Sequence, residues 1–397
     1  MLLKNINQHI RDVKYGNEFS IKTSGNNILF FVFASQGDIY NNKKWNGDII
    51  RYSQKGFSGT HQSIVATAEL LASLKFNVFI ACNSCSENTI VNNVKYISYI
   101  GCSIIIDKID TLIIPPWIFP PHHMSLNSLK SLVIWCHTKV FPPKIEFQKF
   151  KQTYPKCKIY INTITKFTNK VLDEHFGYYR EFVDKISDIR NPLLLDMIHP
   201  VNNKIRHSFI FPASFDRGGK LACDVFDRLS FKDKSMTISS YVNSDIGLIS
   251  NDSYTVTTKG KGDLFNTLSR TEYFLYPGIS SETFRIIKET DSCIVSECLL
   301  HEVIVFAFPV GGIYENYKDT VVWIPIPKGY EYMQNTEDSY VPDIINESLM
   351  RTIEDLIYQI DSDPVRKMEI RKKGREHVMI QRDTATISKQ LHDFIKN

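Results

Sequence analysis

The chain has 397 residues, more than the roughly 250–300 at which one hydrophobic core stops growing, so two domains are expected. Apolar residues make up 43% and charged residues 23%, which excludes a disordered chain. Lys and Arg exceed Asp and Glu by 47 to 43, and a balance of +4 is too small for bulk charge to drive nucleic-acid binding.

Asn27–Ala34 (NILFFVFA) reads as a buried strand, followed by a polar loop rich in Gly, Asn and Lys through Gly56 and Gly59. His61–Leu74 then reads as a helix, with Ile64, Ala68, Leu71 and Leu74 on one stripe. Asn77–Ala81, Tyr96–Ile100, Thr111–Ile114, Ser131–Cys136 and Lys158–Ile161 are short apolar runs of strand length. Such strands, spaced by helical or loop segments, predict βα units and a parallel sheet. The pattern breaks near Asn191-Pro192 and Ile198-His-Pro200, which places a boundary at about 195–205. It then restarts. His207–Pro212 reads as a strand, Gly219–Leu229 as a helix and Met236–Ile238 as a strand. Asp263–Ser269 reads as a short helix, Tyr273–Tyr276 as a strand, Thr290–Leu300 as a helix and Val303–Phe306 as a strand. Gly311-Gly312 reads as a turn and Thr320–Ile324 as a last strand, before helices Leu349–Ile360, Val365–Val378 and Thr384–Ile395. Two αβ lobes would place ligands at the carboxyl ends of their strands, in the cleft between them.

Other signals are read as structure. The eight cysteines are scattered, with Cys82-x-x-Cys85 the one close pair, and no Cys/His cluster completes a metal site around it. Asp361-Ser-Asp363 matches a metal-holding Asp-x-Asp, but Pro364 follows, so Asp363 as a helix cap with Pro at the first helical position accounts for it. No metal site is expected. The first residues lack an apolar leader and no run approaches 18 apolar residues, so no transmembrane helix is expected and the expected location is the cytoplasm. Arg371-Lys-Lys-Gly-Arg375 is a basic helical patch that leaves peripheral membrane contact open.

Three segments carry chemistry. In 273–312, Glu289 is followed eight positions later by Glu297, then by an apolar strand and Gly311-Gly312. Thr290–Ser292 would lie at a helix N-terminus, where free amides suit a phosphate. Glu297, about two turns on, could accept from a ribose diol and Glu289 from a sugar hydroxyl. The alternative is two surface glutamates beside an amphipathic helix. In 211–226, a strand ends at Arg217, Gly218, Gly219 and Lys220 before a helix, and a guanidinium beside glycine amides is a diphosphate clamp. In the first half, Gly56-Phe-Ser-Gly59-Thr60 precedes a helix, where glycines permit close approach by a phosphate or an acceptor. His61 follows as a residue that could line the cleft. Trp135-Cys136-His137 ends a strand, and Lys166 opens the turn after the next one.

Together these segments resemble retaining glycosyltransferases with the GT-B fold, of glycosyltransferase family 4. Glu289 and Glu297 match that family's Glu-x7-Glu, Arg217 its diphosphate-binding Arg, and Trp135-Cys136-His137 its Trp-x-His. Thr290-Asp291-Ser292 stands where the family has a glycine-bearing turn, so Asp291 must be turned away from any phosphate there. Glu282-Thr283-Phe284 offers a rival register.

The resemblance implies an α/β protein of two Rossmann-like lobes facing a cleft. Residues 1–200 would form the acceptor side with helix 384–397 crossing back to it, and 201–383 the donor side. It implies a hexose moved from a UDP- or GDP-linked sugar to a glycan or other hydroxyl acceptor, with retention. No cofactor beyond the donor substrate is required. Arg217, Glu289 and His137 would act on the reacting groups. Arg217, Gly218, Lys220, Thr290, Ser292, Glu297 and Gly59 would hold the nucleotide sugar. The alternatives are a non-catalytic nucleotide-sugar-binding protein of this fold, or another two-lobed nucleotide-sugar enzyme such as an epimerase. A dehydrogenase is excluded because no Gly-x-Gly-x-x-Gly follows the first strand.

Overall fold

The computed structural model describes residues 26–32, 46–52, 59–82, 89–98, 105–116, 126–137, 140–201, 203–239, 253–257, 261–279, 285–287, 289–334, 340–341 and 344–396. Gly56, Cys85 and Glu282-Thr283-Phe284 lie outside the described residues, as does the side chain of Cys82.

The first lobe runs β1 (Asn27–Phe31), α1 (Gly47–Tyr52), α2 (Gly59–Ser73), β2 (Asn77–Cys82), β3 (Thr89–Val91), β4 (Val94–Ser98), β5 (Thr111–Ile114) and β6 (Ser131–Trp135). It continues with α3 (Lys144–Thr153), β7 (Lys158–Asn162), α4 (Lys166–Phe176) and β8 (Lys185–Ser187). Its eight strands lie in the order β3-β4-β2-β1-β5-β6-β7-β8. All pairs are parallel except β3 with β4. Every residue of β1 is buried because helices cover both faces, which is why the strand reads as an unbroken apolar run. Alternation is still visible in the packing. Ile28 and Phe30 join the core that includes α2, while Leu29 and Phe31 join the core that includes Phe147 and Phe150 of α3.

The second lobe runs β9 (Ser208–Phe211), α5 (Gly219–Arg228), β10 (Ser235–Ser239), β11 (Tyr254–Thr257), α6 (Lys261–Arg270), β12 (Tyr273–Tyr276) and α7 (Cys293–Leu300). Then follow β13 (Ile304–Ala307), α8 (Gly311–Tyr317) and β14 (Val322–Trp323). Its strands form a wholly parallel sheet in the order β11-β10-β9-β12-β13-β14. In each sheet the strand order reverses at the first strand, between β1 and β5 and between β9 and β12. Those reversals open the crevices in which α/β sheets bind ligands.

Three helices end the chain: α9 (Glu347–Asp361), α10 (Pro364–Gln381) and α11 (Thr384–Lys396). Asp363 caps α10, its carboxylate accepting from the Arg366 amide at 2.9 Å with Pro364 at the first position, as expected for the Asp-x-Asp string. α10 packs on α7, whereas α11 crosses back to α2 of the first lobe. Ile387, Leu391 and Phe394 form the buried stripe of α11, with Phe394 at 5.5 Å from the Tyr160 ring of β7.

Two sequence expectations change. Gly311-Gly312 is not a free-standing turn but the first turn of α8. Glycine is needed at 312 because the backbone carbonyls of Glu289 and Thr290 occupy the space a Cβ would fill. The helix expected from Thr290 begins only at Cys293. The three residues before it are extended or bent and engaged with other parts of the molecule.

Candidate functional site

The crevice of the second sheet is bordered by the turns after β9 and β12. After β9, residues 215–217 form one tight turn that ends at Gly218, whose φ of 104° lies in the left-handed region. A Cβ at Gly218 would lie 2.6 Å from Pro277 Cγ, so glycine lets the two turns touch. Arg217 projects from this turn and its side chain is 37% exposed. Its guanidinium pairs with Glu289. The same Glu289 oxygen accepts from the Tyr276 hydroxyl at 2.5 Å. Lys220 stands apart from this pair. It is exposed at the start of α5 and bonded to Asp224 one turn on, at 2.7–2.8 Å.

Residues 289–292 are held from several directions. The Gly312 amide donates to the Glu289 carbonyl at 2.8 Å. The Thr290 hydroxyl donates to the His137 carbonyl at 2.8 Å, and the Thr165 hydroxyl donates to the Thr290 carbonyl at 3.1 Å. Both contacts join the second lobe to the first. Asp291 is turned away from the crevice, as its charge requires, and receives a fork from Arg382 at 2.8 and 2.5 Å. Burial raises the carboxyl pKa, but Arg382 outweighs that and holds Asp291 below its usual value. Ser292 caps α7 by backbone position alone, and its carbonyl accepts from the Tyr317 hydroxyl at 3.2 Å. Glu297 is a buried residue of α7 at 3% exposure and not a surface glutamate.

The first lobe faces this loop with the start of α2. Gly59 is the first residue of that helix and has open space where a Cβ would project. One turn on, the Ser63 hydroxyl lies 3.5 Å from the Cys293 sulfur at the start of α7. His61 is buried between these positions in sequence. His137 follows β6 and, with Phe30, Ile64 and Trp135, lines a narrow apolar recess. Burial, with a smaller push from His61 and against a pull from Asp291, brings the His137 imidazole down to about 3. It is therefore neutral near pH 7 and can donate or accept one hydrogen bond through each nitrogen. Lys166 is exposed at the start of α4, where its amide donates to the Glu315 carboxylate at 3.0 Å. The Phe167 amide donates to the same carboxylate at 2.5 Å.

The structure thus brings together Arg217, Gly218 and Glu289. It also joins Thr290 to His137, and the α2 start that carries Gly59 to the α7 start after Ser292. It does not bring Lys220 to them. Sequence reasoning missed Tyr276, Thr165, Glu315 and Arg382. Glu315 had a visible signal, an acid three residues beyond Gly311-Gly312, and Arg382 had another, a cation at the break between two helical runs. Among the described residues no group of three His, Cys, Asp or Glu side chains could hold a metal ion, and no helix is long and apolar enough to cross a membrane.

Comparison with solved structures shows the same arrangement of lobes in other proteins. A glycosyltransferase from Rickettsia africae superposes with a TM-score of 0.61 at 13% identity, over 94% of this chain and 99% of that one. The chain has the GT-B fold. The catalytic domain of starch synthase IV from Arabidopsis thaliana, bound to ADP and acarbose, gives a TM-score of 0.58 at 10% identity, over 94% and 100%. Anabaena HepE in complex with UDP-glucose gives 0.58 at 10% identity, over 92% and 98%. No protein-family model matches the chain, and no curated protein matches it either. At these identities the likeness is one of fold, and the chemistry has to be argued from the residues.

Proposed function

We propose that the protein is a retaining glycosyltransferase that moves a hexose from a nucleoside-diphosphate sugar to a hydroxyl acceptor. One observation carries this reading: Arg217, on a glycine-turned loop at the sheet reversal, stands against Glu289 on the neighbouring loop. Loss of a nucleoside diphosphate leaves negative charge on the departing phosphate and positive charge at the anomeric carbon. A half-exposed guanidinium beside a loop at the crevice is placed to balance the first. A carboxylate a few ångströms away is placed to accept from hydroxyls of the hexose. UDP-glucose and ADP in the solved structures of similar fold support a nucleoside-diphosphate ligand.

In this reading residues 1–200 with the crossing helix α11 form the acceptor side, and residues 201–383 the donor side. Arg217 with the Gly218 turn holds the diphosphate, Glu289 the hexose, and Glu297 the ribose end. His137, neutral at the edge of the first lobe, orients the sugar as a hydrogen-bond partner. Glu289 is held by both Arg217 and Tyr276 and is assigned a positioning role and not a nucleophilic one. Retention then follows a front-face path, in which the departing diphosphate takes the acceptor proton as the new glycosidic bond forms on the same face. No pair of carboxylates is required, in contrast to glycoside hydrolysis.

Ligands that bind only the native state raise its apparent stability. UDP, GDP, ADP and their sugar conjugates should therefore shift the melting midpoint, with one base preferred. If none of them does, the assignment is wrong. The anomeric configuration of a transferred sugar then tests retention. A second reading, a nucleotide-sugar-binding protein without turnover, draws on Thr290-Asp291-Ser292. All three are occupied with contacts inside the protein where the family has a glycine-bearing turn. Nucleotide binding without transfer or donor hydrolysis in any acceptor screen would favour it.

A further inference from the structure

Among the described residues the chain passes between the lobes twice, once through the segment after β8 and once at the break between α10 and α11. Both passages meet at Asp291. Arg382, one of the two residues in that second break, donates from Nη1 to the Asn191 carbonyl at 2.8 Å, and Asn191 lies in the first passage. The same guanidinium forks onto the Asp291 carboxylate at 2.8 and 2.5 Å, and its Nη2 also reaches Ser296 of α7 at 3.1 Å. Arg190 places its Nη1 4.0 Å from Asp291. The side chain of Asn191 in turn accepts from the Trp135 indole at 3.0 Å, which ties this point to the strand that ends at His137. Arg382 and Asp291 have no exposed side-chain surface.

A buried ion pair of this kind holds only with strict geometry, because neither charge can turn to water. A segment fixed by it has little freedom to rearrange. That segment is flanked by Glu289 on one side and by the start of α7 on the other. We infer that Asp291 and Arg382 are a positioning pair, which fixes the 289–292 loop to the hinge between the lobes and so sets where Glu289 stands opposite Arg217. The functional half of this inference rests on the glycosyltransferase reading. The mechanical half does not.

The test uses the full chain carrying Asp291→Asn with Arg382→Met, which removes both charges together. Arg382→Lys is a second variant that keeps the charge and loses the fork. Asp361→Asn serves as a control in another ion network, at the far end of the second sheet. Hydrogen exchange of the amides of residues 290–293 reads the loop, and calorimetric titration with UDP, GDP and ADP reads the site. In the double variant, exchange at these amides should rise about tenfold and the Kd for the preferred nucleotide should weaken about tenfold, a factor equal to about 1.4 kcal/mol. Arg382→Lys should show smaller changes in the same direction, and Asp361→Asn neither. Exchange and Kd both within about twofold of the wild type would overturn the pair's positioning role. If the double variant does not fold, Arg382→Lys is judged by the same two thresholds. If no nucleotide binds the wild type, the glycosyltransferase reading fails, and exchange alone decides the mechanical half.

Discussion

Two neighbouring loops of the second lobe treat charge in opposite ways. The turn at 214–219 leaves Arg217 more than a third exposed, whereas the loop at 289–292 buries Asp291 completely against Arg382. The first loop is shaped by glycine so that a cation stands at the crevice mouth. The second is shaped by contacts with other parts of the protein, made by the Thr290 hydroxyl, the Asp291 carboxylate and the Ser292 carbonyl. Nearness to a crevice therefore does not by itself mark a ligand contact, and the number of internal partners separates the two cases.

Breaking the buried side of this comparison should cost most. Asp291→Ala leaves Arg382 buried without its partner, and equilibrium unfolding should show a loss of about 3–5 kcal/mol. On the open side, Arg217→Ala should leave folding stability nearly unchanged. It should lower any transfer rate by about 10²–10³, the scale of losing one charge-stabilising donor, and should abolish the nucleotide-dependent shift in melting midpoint. A result with both effects reversed would overturn the division. Gly218→Ala tests what shapes the open loop. A side chain there meets Pro277 in a left-handed backbone, so a loss of about 1–3 kcal/mol is expected in denaturant titrations.

At neutral pH the smallest effect is that of proton uptake, which enters only in acid. The folded His137 titrates at about 3, far below the ordinary value near 6.5. The folded state thus binds fewer protons than the unfolded one between these values. Stability from this group is complete above about pH 6.5 and falls as pH drops toward 3. His137→Asn should flatten that part of the melting curve against pH, while transfer activity between pH 7 and 8 should show no step from His137 ionisation.

The fold was largely legible because parallel strands covered on both faces are written as apolar runs. Tyr273–Tyr276 was read to the residue. The elements missed were those whose formation depends on neighbours. β8, Lys-Ile-Ser, is three half-buried residues that become a strand because β7 offers them an edge. α3 carries only Phe147 and Phe150 as its buried pair, too short an apolar stripe to stand out in the sequence between two strands. At the site, Arg217 and Glu289 could be nominated because each sits in a local pattern of turn residues and apolar runs. Arg382 could not be paired with Asp291, because the two are 91 positions apart and meet only once the helices have packed. Thr290 is a second such case. It lies ahead of α7 and not in its first turn, and the partner of its hydroxyl, the His137 carbonyl, lies 153 positions away and is invisible without the fold.

The return of α11 to α2 and β7 also sets an order in time. The first lobe contains strands and helices that leave the ribosome early, yet the face beside Tyr160 stays uncovered until Phe394 has been made. During synthesis that apolar face is open while the whole second lobe is still being added, a period in which exposed hydrophobic surface invites chaperones or aggregation. The last turns of the chain therefore act as the cover that ends the exposure of the first.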